Sequence, residues 1–326
     1  MIADGSISSR CISRSPSSLI ETLTILLGIS CFHALSNQLI LNEFPMPELP
    51  EVENVRLLLQ ENLRGHVVRN VQINRADVIR SRWTTSGGRH RSLLAGGSLH
   101  GFHRHGKRLA LEVEDGRVLE FSLGMSGQLL VVSMNPDHVP DHAHLIWTLE
   151  NPSTGQGSRL IWRDPRRFGG LWVWSGMKVM VERKWQVIGT DALEMEYESF
   201  RERIGNTRRS IKTALLDQNL IAGIGNIYAD EALHRAGIRP RRMARRLKRQ
   251  ETEKLHHALG VILREAIEAG GSTIQSFKDP RGGEGGYQSA HAVYGRSGER
   301  CEGCGSTIRS MALNGRTTSW CPVCQK

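Results

Sequence analysis

Cysteine is missing from the whole middle of this chain. Of its six cysteines, Cys11 and Cys31 lie near the start, while Cys301, Cys304, Cys321 and Cys324 lie near the end. That distribution excludes a secreted scaffold stapled by bridges and points to a reducing compartment with one terminal metal site. A membrane-spanning run is lacking as well. The apolar stretch "LTILLGISCFHAL", Leu23 to Leu35, is too short to cross a bilayer. It imitates a signal peptide, yet no small-x-small cleavage site follows it before Phe44. No internal repeat is visible, and acids are absent from the stretch between Arg235 and Arg249.

What is present is positive charge, on a chain long enough for two domains with their own cores. The 326 residues carry 43 Lys plus Arg against 33 Asp plus Glu, a net of +10. Residues 1–45 hold Arg10 and Arg14 against Asp4, Glu21 and Glu43, so the remainder carries +11. Such an excess suits a polyanionic partner, although its distribution has to decide the matter. The Ser-rich stretch "SISSRCISRSPSS" and the apolar run set residues 1–45 apart. They read as a non-native or processed extension, with translation of the working protein beginning at Met46.

From Pro50, "PEVENVRLLLQENLRG" predicts a helix: proline in the first turn, acids near the N-terminus, and Val52, Val55, Leu58 and Leu59 at helical spacing before Gly65. Short alternating runs follow, "HVVRNVQI", "KRLALEVEDG", "VLEFSLG", "QLLVVSM", "HLIWTLE", "SRLIWRD" and "GLWVWSG", separated by turn residues. They predict a sandwich or barrel. After Glu196 the period becomes helical, with Leu255, Leu259, Ile262, Leu263 and Ile267 on one face and Gly270 as a stop. The chain therefore divides into the extension 1–45, a β-rich domain 46–178, a linker 179–196, a helical domain 197–298 and a cysteine module 299–326. The class is α+β.

Two Cys-x-x-Cys knuckles, Cys301 with Cys304 and Cys321 with Cys324, are spaced so that four thiolates can close a tetrahedral zinc site. With four sulfur ligands no position stays open for water, so the ion builds a fold rather than performing chemistry. Arg309 and Arg316 on the intervening hairpin offer cations to a phosphate, or are ordinary solvated arginines. Upstream, "DQNLIAGIGNIYADEALHRAGIRP" reads as a tight Gly-Ile-Gly turn followed by a helix starting near Asn226. A helix N-terminus is a natural phosphate seat, and Asn226 either caps the helix or adds a donor. Arg235, Arg239, Arg241, Arg242, Arg245, Arg246, Lys248 and Arg249 follow without an intervening acid, which favours phosphate contact over a solvated face.

These residues converge on a family. In "MPELPEVE", "HGKRLALEV", "LGMSGQL", "DPRRFG", "LLDQNLIAGIGNIYADEAL", "VYGR" and the knuckles, the chain resembles bacterial formamidopyrimidine-DNA glycosylase from Met46 to Lys326. The resemblance implies an N-terminal β-sandwich with flanking helices, a helix-two-turn-helix module and a zinc finger, with DNA held between domains. It implies a bifunctional glycosylase and lyase of base excision repair that excises oxidised purines. It makes Pro47 the nucleophile, as a secondary amine freed by removal of Met46. An α-amine titrates near pH ~8, below lysine, which suits that task. An internal proline has an amide nitrogen without that basicity, so the extension and the activity are mutually exclusive.

By the same resemblance, Glu48 is the acid/base that protonates the sugar ring oxygen, and Glu51 serves the helix dipole or orients the site. Lys107 contacts the phosphate beside the lesion, and Lys212 lies near the damaged nucleotide. Met125, Arg166 and Phe168 fill the gap left by the flipped base; a thioether and a ring replace stacking and a guanidinium reads the widowed base. Asn226 and Arg316 join the DNA contacts, and the loop 277–296 recognises 8-oxoguanine. That loop departs from the family pattern, with Gln288 where an aromatic commonly follows Gly-Tyr. The expected partner is double-stranded DNA with oxidised bases, without a membrane, met by a monomer in the cytoplasm and nucleoid. Two alternatives stay open: a sister family of endonuclease VIII-like enzymes for oxidised pyrimidines, against which Leu49 and "DPRRFG" argue, and a noncatalytic DNA-binding relative whose Pro47 remains blocked.

Overall fold

The computed structural model describes residues 46–80, 92–134, 139–273 and 279–326. The extension 1–45 and the first two residues of the 277–296 loop lie outside them. Helix α1 (Leu49–Leu63) starts where Pro50 fits the first turn and Glu51 meets the positive end of the dipole. Its Val52, Val55, Leu59 and Leu63 enter one hydrophobic core, while Leu49 enters another. One helix thus belongs to both halves of the molecule, and its N-terminus lies where they meet.

The first core fills a sandwich of two antiparallel four-stranded sheets. Strands β1 (Val67–Ile73), β5 (Gln128–Ser133), β6 (Ala143–Glu150) and β7 (Gly157–Arg163) form one, in the order β1-β6-β7-β5. Strands β2 (Leu99–His105), β3 (Arg108–Val113), β4 (Val118–Ser122) and β8 (Gly170–Trp174) form the other, in sequence order. Every β run expected from the sequence is a strand. Strand β2, "LHGFHRH", was not among them: its histidines blur the alternation and its register slips between Leu99 and Gly101. It exists because β3 supplies its hydrogen bonds.

The stretch expected as a linker, 179–196, is folded. Helix α2 (Met177–Met180) runs into a π-turn at Val181–Trp185 that buries Trp185 near Trp174 on the outer side of the second sheet. Strand β9 (Thr190–Asp191) then pairs in parallel with β10 (Ile221–Ala222). The helical half holds α3 (Tyr197–Gly205), α4 (Ile211–Leu216), α5 (Asn226–Arg235) and α6 (Arg249–Glu268), packed around Phe200, Tyr228, Leu255, Leu259 and Leu263. Gly270 follows α6 with φ +80°, the left-handed stop its position suggested. The chain closes with hairpin β11 (Arg309–Leu313) and β12 (Arg316–Trp320) between the cysteine knuckles. Among the described residues no helix is long and apolar enough to cross a membrane.

Candidate active site and nucleic-acid interface

Glu48 caps α1 from a position 2 % exposed, directly after the buried Pro47. Its Oε1 accepts the N–H of Ile227, in the first turn of α5, at 2.9 Å. The Gly-Ile-Gly turn makes that approach possible. A Cβ on Gly225 would sit 2.3 Å from Glu48 Cδ, and Gly223, at φ +108°, presents its carbonyl to the N–H of Leu49. The helix N-terminus read from sequence as a phosphate seat is therefore occupied in part by the chain's own carboxylate. The physics is as expected, free amides and a helix dipole holding an anion, but the anion is Glu48.

Burial raises the Glu48 carboxyl to about 7, against the pull of the Lys107 ammonium and the amides of Ile227 and Gly225, with Glu51 pushing the same way as burial. Its Oε2 is buried and has no hydrogen-bond partner among the described residues. Glu51, one turn on, is satisfied instead: it accepts the Glu48 N–H at 2.8 Å, the Tyr228 hydroxyl at 2.5 Å and the Ser272 N–H at 2.7 Å. Of two buried neighbouring carboxyls, one is tied down and the other has a free oxygen.

Lys107 reaches this place on the β2–β3 turn. Gly106, at φ +56°, packs against Ala222 and donates its N–H to Asp191 at 2.7 Å; Arg104 binds Asp191 and Glu53. His105 stacks on Trp185 at 5.5 Å and bonds the Gly189 carbonyl at 2.9 Å. The turn is thus pinned to the folded linker. Burial lowers the Lys107 ammonium, the Glu48 charge raises it and the Arg316 guanidinium lowers it. Glu48, Lys107 and Arg316, far apart in sequence, therefore share one electrostatic site. Arg309 and Arg316 are exposed at opposite ends of the hairpin.

Met125, Arg166 and Phe168 lie on two loops at one end of the sandwich. Gly124, at φ +60°, sits against the backbone of Phe168 and Gly169, and the buried Asp164 accepts from the Ser126 hydroxyl and the Gly169 N–H. Arg166 donates its backbone N–H to Ser126 and lays its guanidinium 4.7 Å over the Phe168 ring. Phe168 is 55 % exposed and Met125 half-buried.

Several polar groups are more engaged within the fold than the sequence alone suggests. Lys212 is not an open cation: it is 0 % exposed, 2.7 Å from Asp230, and donates to the Thr317 carbonyl and Thr318 hydroxyl. Asp230 also accepts the Ser319 N–H, so the pair fastens β12 to α4 and α5. The basic stretch is also less free than its composition implied. Arg235 pairs with Glu265, Arg242 with Glu251 and Arg249 with Glu253, all acids supplied by α6, while Arg239 bonds the Pro322 and Gln325 carbonyls. Arg241, Arg245 and Arg246 are exposed and carry no ion pair among the described residues. Asn226 does not cap α5; its amide donates to the Thr317 carbonyl at 2.9 Å and its buried Oδ1 has no partner among the described residues.

The Sγ atoms of Cys301, Cys304, Cys321 and Cys324 lie within 4.8 Å of one another, with Cys304 and Cys321 at 3.4 Å and Cys301 and Cys324 at 3.8 Å. Four soft thiolates at such spacings fit one structural zinc ion with a closed shell. Sequence reasoning missed Tyr228, Ser272 and Asp191: Tyr228 stands in the quoted Gly-Ile-Gly-Asn-Ile-Tyr stretch but reads there as a helix residue, Ser272 and Asp191 stand in no such motif, and only burial next to charged groups marks them.

Three family models match the chain: the formamidopyrimidine-DNA glycosylase N-terminal domain over residues 46–171, its H2TH domain over 188–278, and a zinc finger found in FPG and IleRS over 298–326. A formamidopyrimidine-DNA glycosylase of Bacillus licheniformis is 37% identical over 289 residues, 86% of this chain and 100% of the relative; one of Gluconobacter oxydans is 38% identical over 286 residues with the same coverage. Among solved structures, the MutM (FPG) protein of Thermus thermophilus is 37% identical with a TM-score of 0.73, over 86% of this chain and 98% of that one. The Lactococcus lactis Fpg in complex with DNA containing an abasic site is 32% identical with a TM-score of 0.76, over 86% and 99%.

Proposed function

The chain belongs to the formamidopyrimidine-DNA glycosylase family, and from that premise we propose how its residues divide the work. It is a DNA glycosylase and lyase of base excision repair with one structural zinc ion. The working form begins at Pro47. Its secondary amine attacks C1′ of a flipped, oxidised purine nucleotide, and the glycosidic bond breaks as the base leaves with a proton. Glu48 delivers its proton to the sugar ring oxygen, the ring opens, and an iminium joins Pro47 to C1′. That electron sink lets a C2′ proton leave and the 3′ phosphate depart, and a second elimination releases the 5′ phosphate.

The observation that carries this reading is Glu48: buried beside Pro47, raised to about 7 and with a free buried oxygen. Near neutrality such a carboxyl is protonated often enough to act as an acid and ionised often enough to take a proton back. Lys107 and Arg316 supply positive charge for the phosphate next to the lesion. Met125, Arg166 and Phe168 fill the gap in the duplex. Asn226, whose amide holds the Thr317 carbonyl and whose Oδ1 has no partner among the described residues, is a DNA contact beside the hairpin. The partner is double-stranded DNA with oxidised bases, met by a monomer in the cytoplasm and nucleoid.

The decisive experiment is N-terminal sequencing of the protein made from its own gene, followed by borohydride trapping on an 8-oxoguanine duplex. A chain starting at Pro47 that is trapped covalently supports the reading. A chain that keeps any residue before Pro47 and is not trapped makes the protein a noncatalytic DNA-binding relative.

A further inference from the structure

The Glu51 carboxylate ends a chain of hydrogen bonds that the chemistry above does not use. Ionised, it only accepts, so Tyr228 donates to it at 2.5 Å. The Tyr228 oxygen then accepts the Ser272 hydroxyl proton at 3.3 Å, and Ser272 Oγ is left to accept from His291 Nε2–H at 3.0 Å. All four residues are buried. Each bond in such a series polarises the next, because the Tyr228 and Ser272 hydroxyls each donate and accept.

The His291 ring cannot easily leave this line. It stands edge-on to Tyr287 at 5.8 Å and to Tyr294 at 5.6 Å, and Tyr287 lies 5.9 Å from Tyr228. Just after it, the N–H groups of Ala292, Val293 and Tyr294 all converge on the carboxylate of Glu231 at 2.7 to 3.0 Å. At the other end, Glu51 holds the Glu48 N–H, and with it the link to Pro47. We propose that His291, acting through Ser272 and Tyr228, is a positioning residue that holds Glu51 and so sets the reacting pair Pro47 and Glu48. This rests on the reading of those two residues given above. It also ties that pair to the segment the resemblance assigns to lesion recognition.

The test compares His291→Leu, His291→Gln and Tyr228→Phe in excision of 8-oxoguanine, with melting temperature as the check on folding. His291→Leu and Tyr228→Phe should lower kcat on the order of tenfold, a part of the ~10²-fold that ~1 Å of misplacement costs, with KM unchanged. His291→Gln, whose amide places an N–H where Nε2 was, should restore most of the rate. Full kcat in Tyr228→Phe, or a Gln variant no faster than the Leu variant, overturns the proposal; Tyr228→Phe keeps its ring and serves even where His291→Leu fails to fold. Glu48→Gln is run alongside: if it keeps wild-type activity, the reading of the site has failed and not this extension of it.

Discussion

Two carboxyls one helical turn apart behave differently here, and the difference is where their lone pairs go. Glu51 has its oxygens filled by three donors and is a structural anchor. Glu48 spends one oxygen on the Ile227 amide and keeps the other. Replacing Glu48 by Gln should lower base release by about 10²-fold or more, the usual worth of a general acid, while leaving duplex affinity within about twofold. In the wild type the acid form is lost above about pH 7, so the rate should fall on the alkaline side of that value. Stability has its own sign. The folded carboxyl titrates at about 7 and the unfolded at 4.5, so between them the folded state binds the extra proton; its contribution is full below 4.5 and lost as pH rises through 7. Denaturant unfolding at pH 5 and 8 should show a smaller loss of stability in Glu48→Gln than in the wild type, and equal losses would contradict the raised carboxyl.

Among the elements, α5 does most of the joining. Its first amide turn holds Glu48, Tyr228 holds Glu51, Asp230 holds Lys212 and the Ser319 N–H, Glu231 holds the backbone of 292–294, and His234 lies 3.7 Å from Cys301 Sγ. One short helix therefore aligns Glu48 and Glu51, the segment 292–294 and the zinc hairpin. Lys212→Met should cost about 3–5 kcal/mol, because it leaves Asp230 buried without its cation, and should loosen the hairpin that carries Arg316. Equilibrium unfolding reads the first effect and limited proteolysis near Arg316 the second; a stability loss below about 1 kcal/mol would show that the pair is not the fastening described. Cys321→Ser should release zinc and weaken DNA binding together. Metal loss with unchanged binding would remove the structural role from the ion.

For the molecule as a whole, charge matters through what stays unpaired. Acids on α6 neutralise much of the arginine-rich stretch, so the DNA-facing cations number fewer than the sequence offers. Duplex affinity should still fall linearly in log–log against salt, and replacing Arg241, Arg245 and Arg246 by Ala should reduce the slope by about one for each that meets a phosphate. An unchanged slope would leave those three to solvent.

The sequence by itself determined the class of the protein: the strands whose alternation is clean, the two amphipathic helices α1 and α6, the Gly270 stop and the four cysteines that close on one ion. Those features are local, fixed by period, turn chemistry and ligand spacing. By resemblance it also proposed roles for Pro47, Glu48 and Lys107, the first two of which the experiments above test. What it left undecided depends on partners distant in the chain. Strand β2 needed β3; the arginines between Arg235 and Arg249 needed the acids of α6; the burial of Lys212 against Asp230 needed α5. The seat at the start of α5 went in part to Glu48 because Gly225, lacking a Cβ, leaves room for that carboxyl. A titratable group's role follows from its desolvation and its neighbours, and only the tertiary structure supplies those.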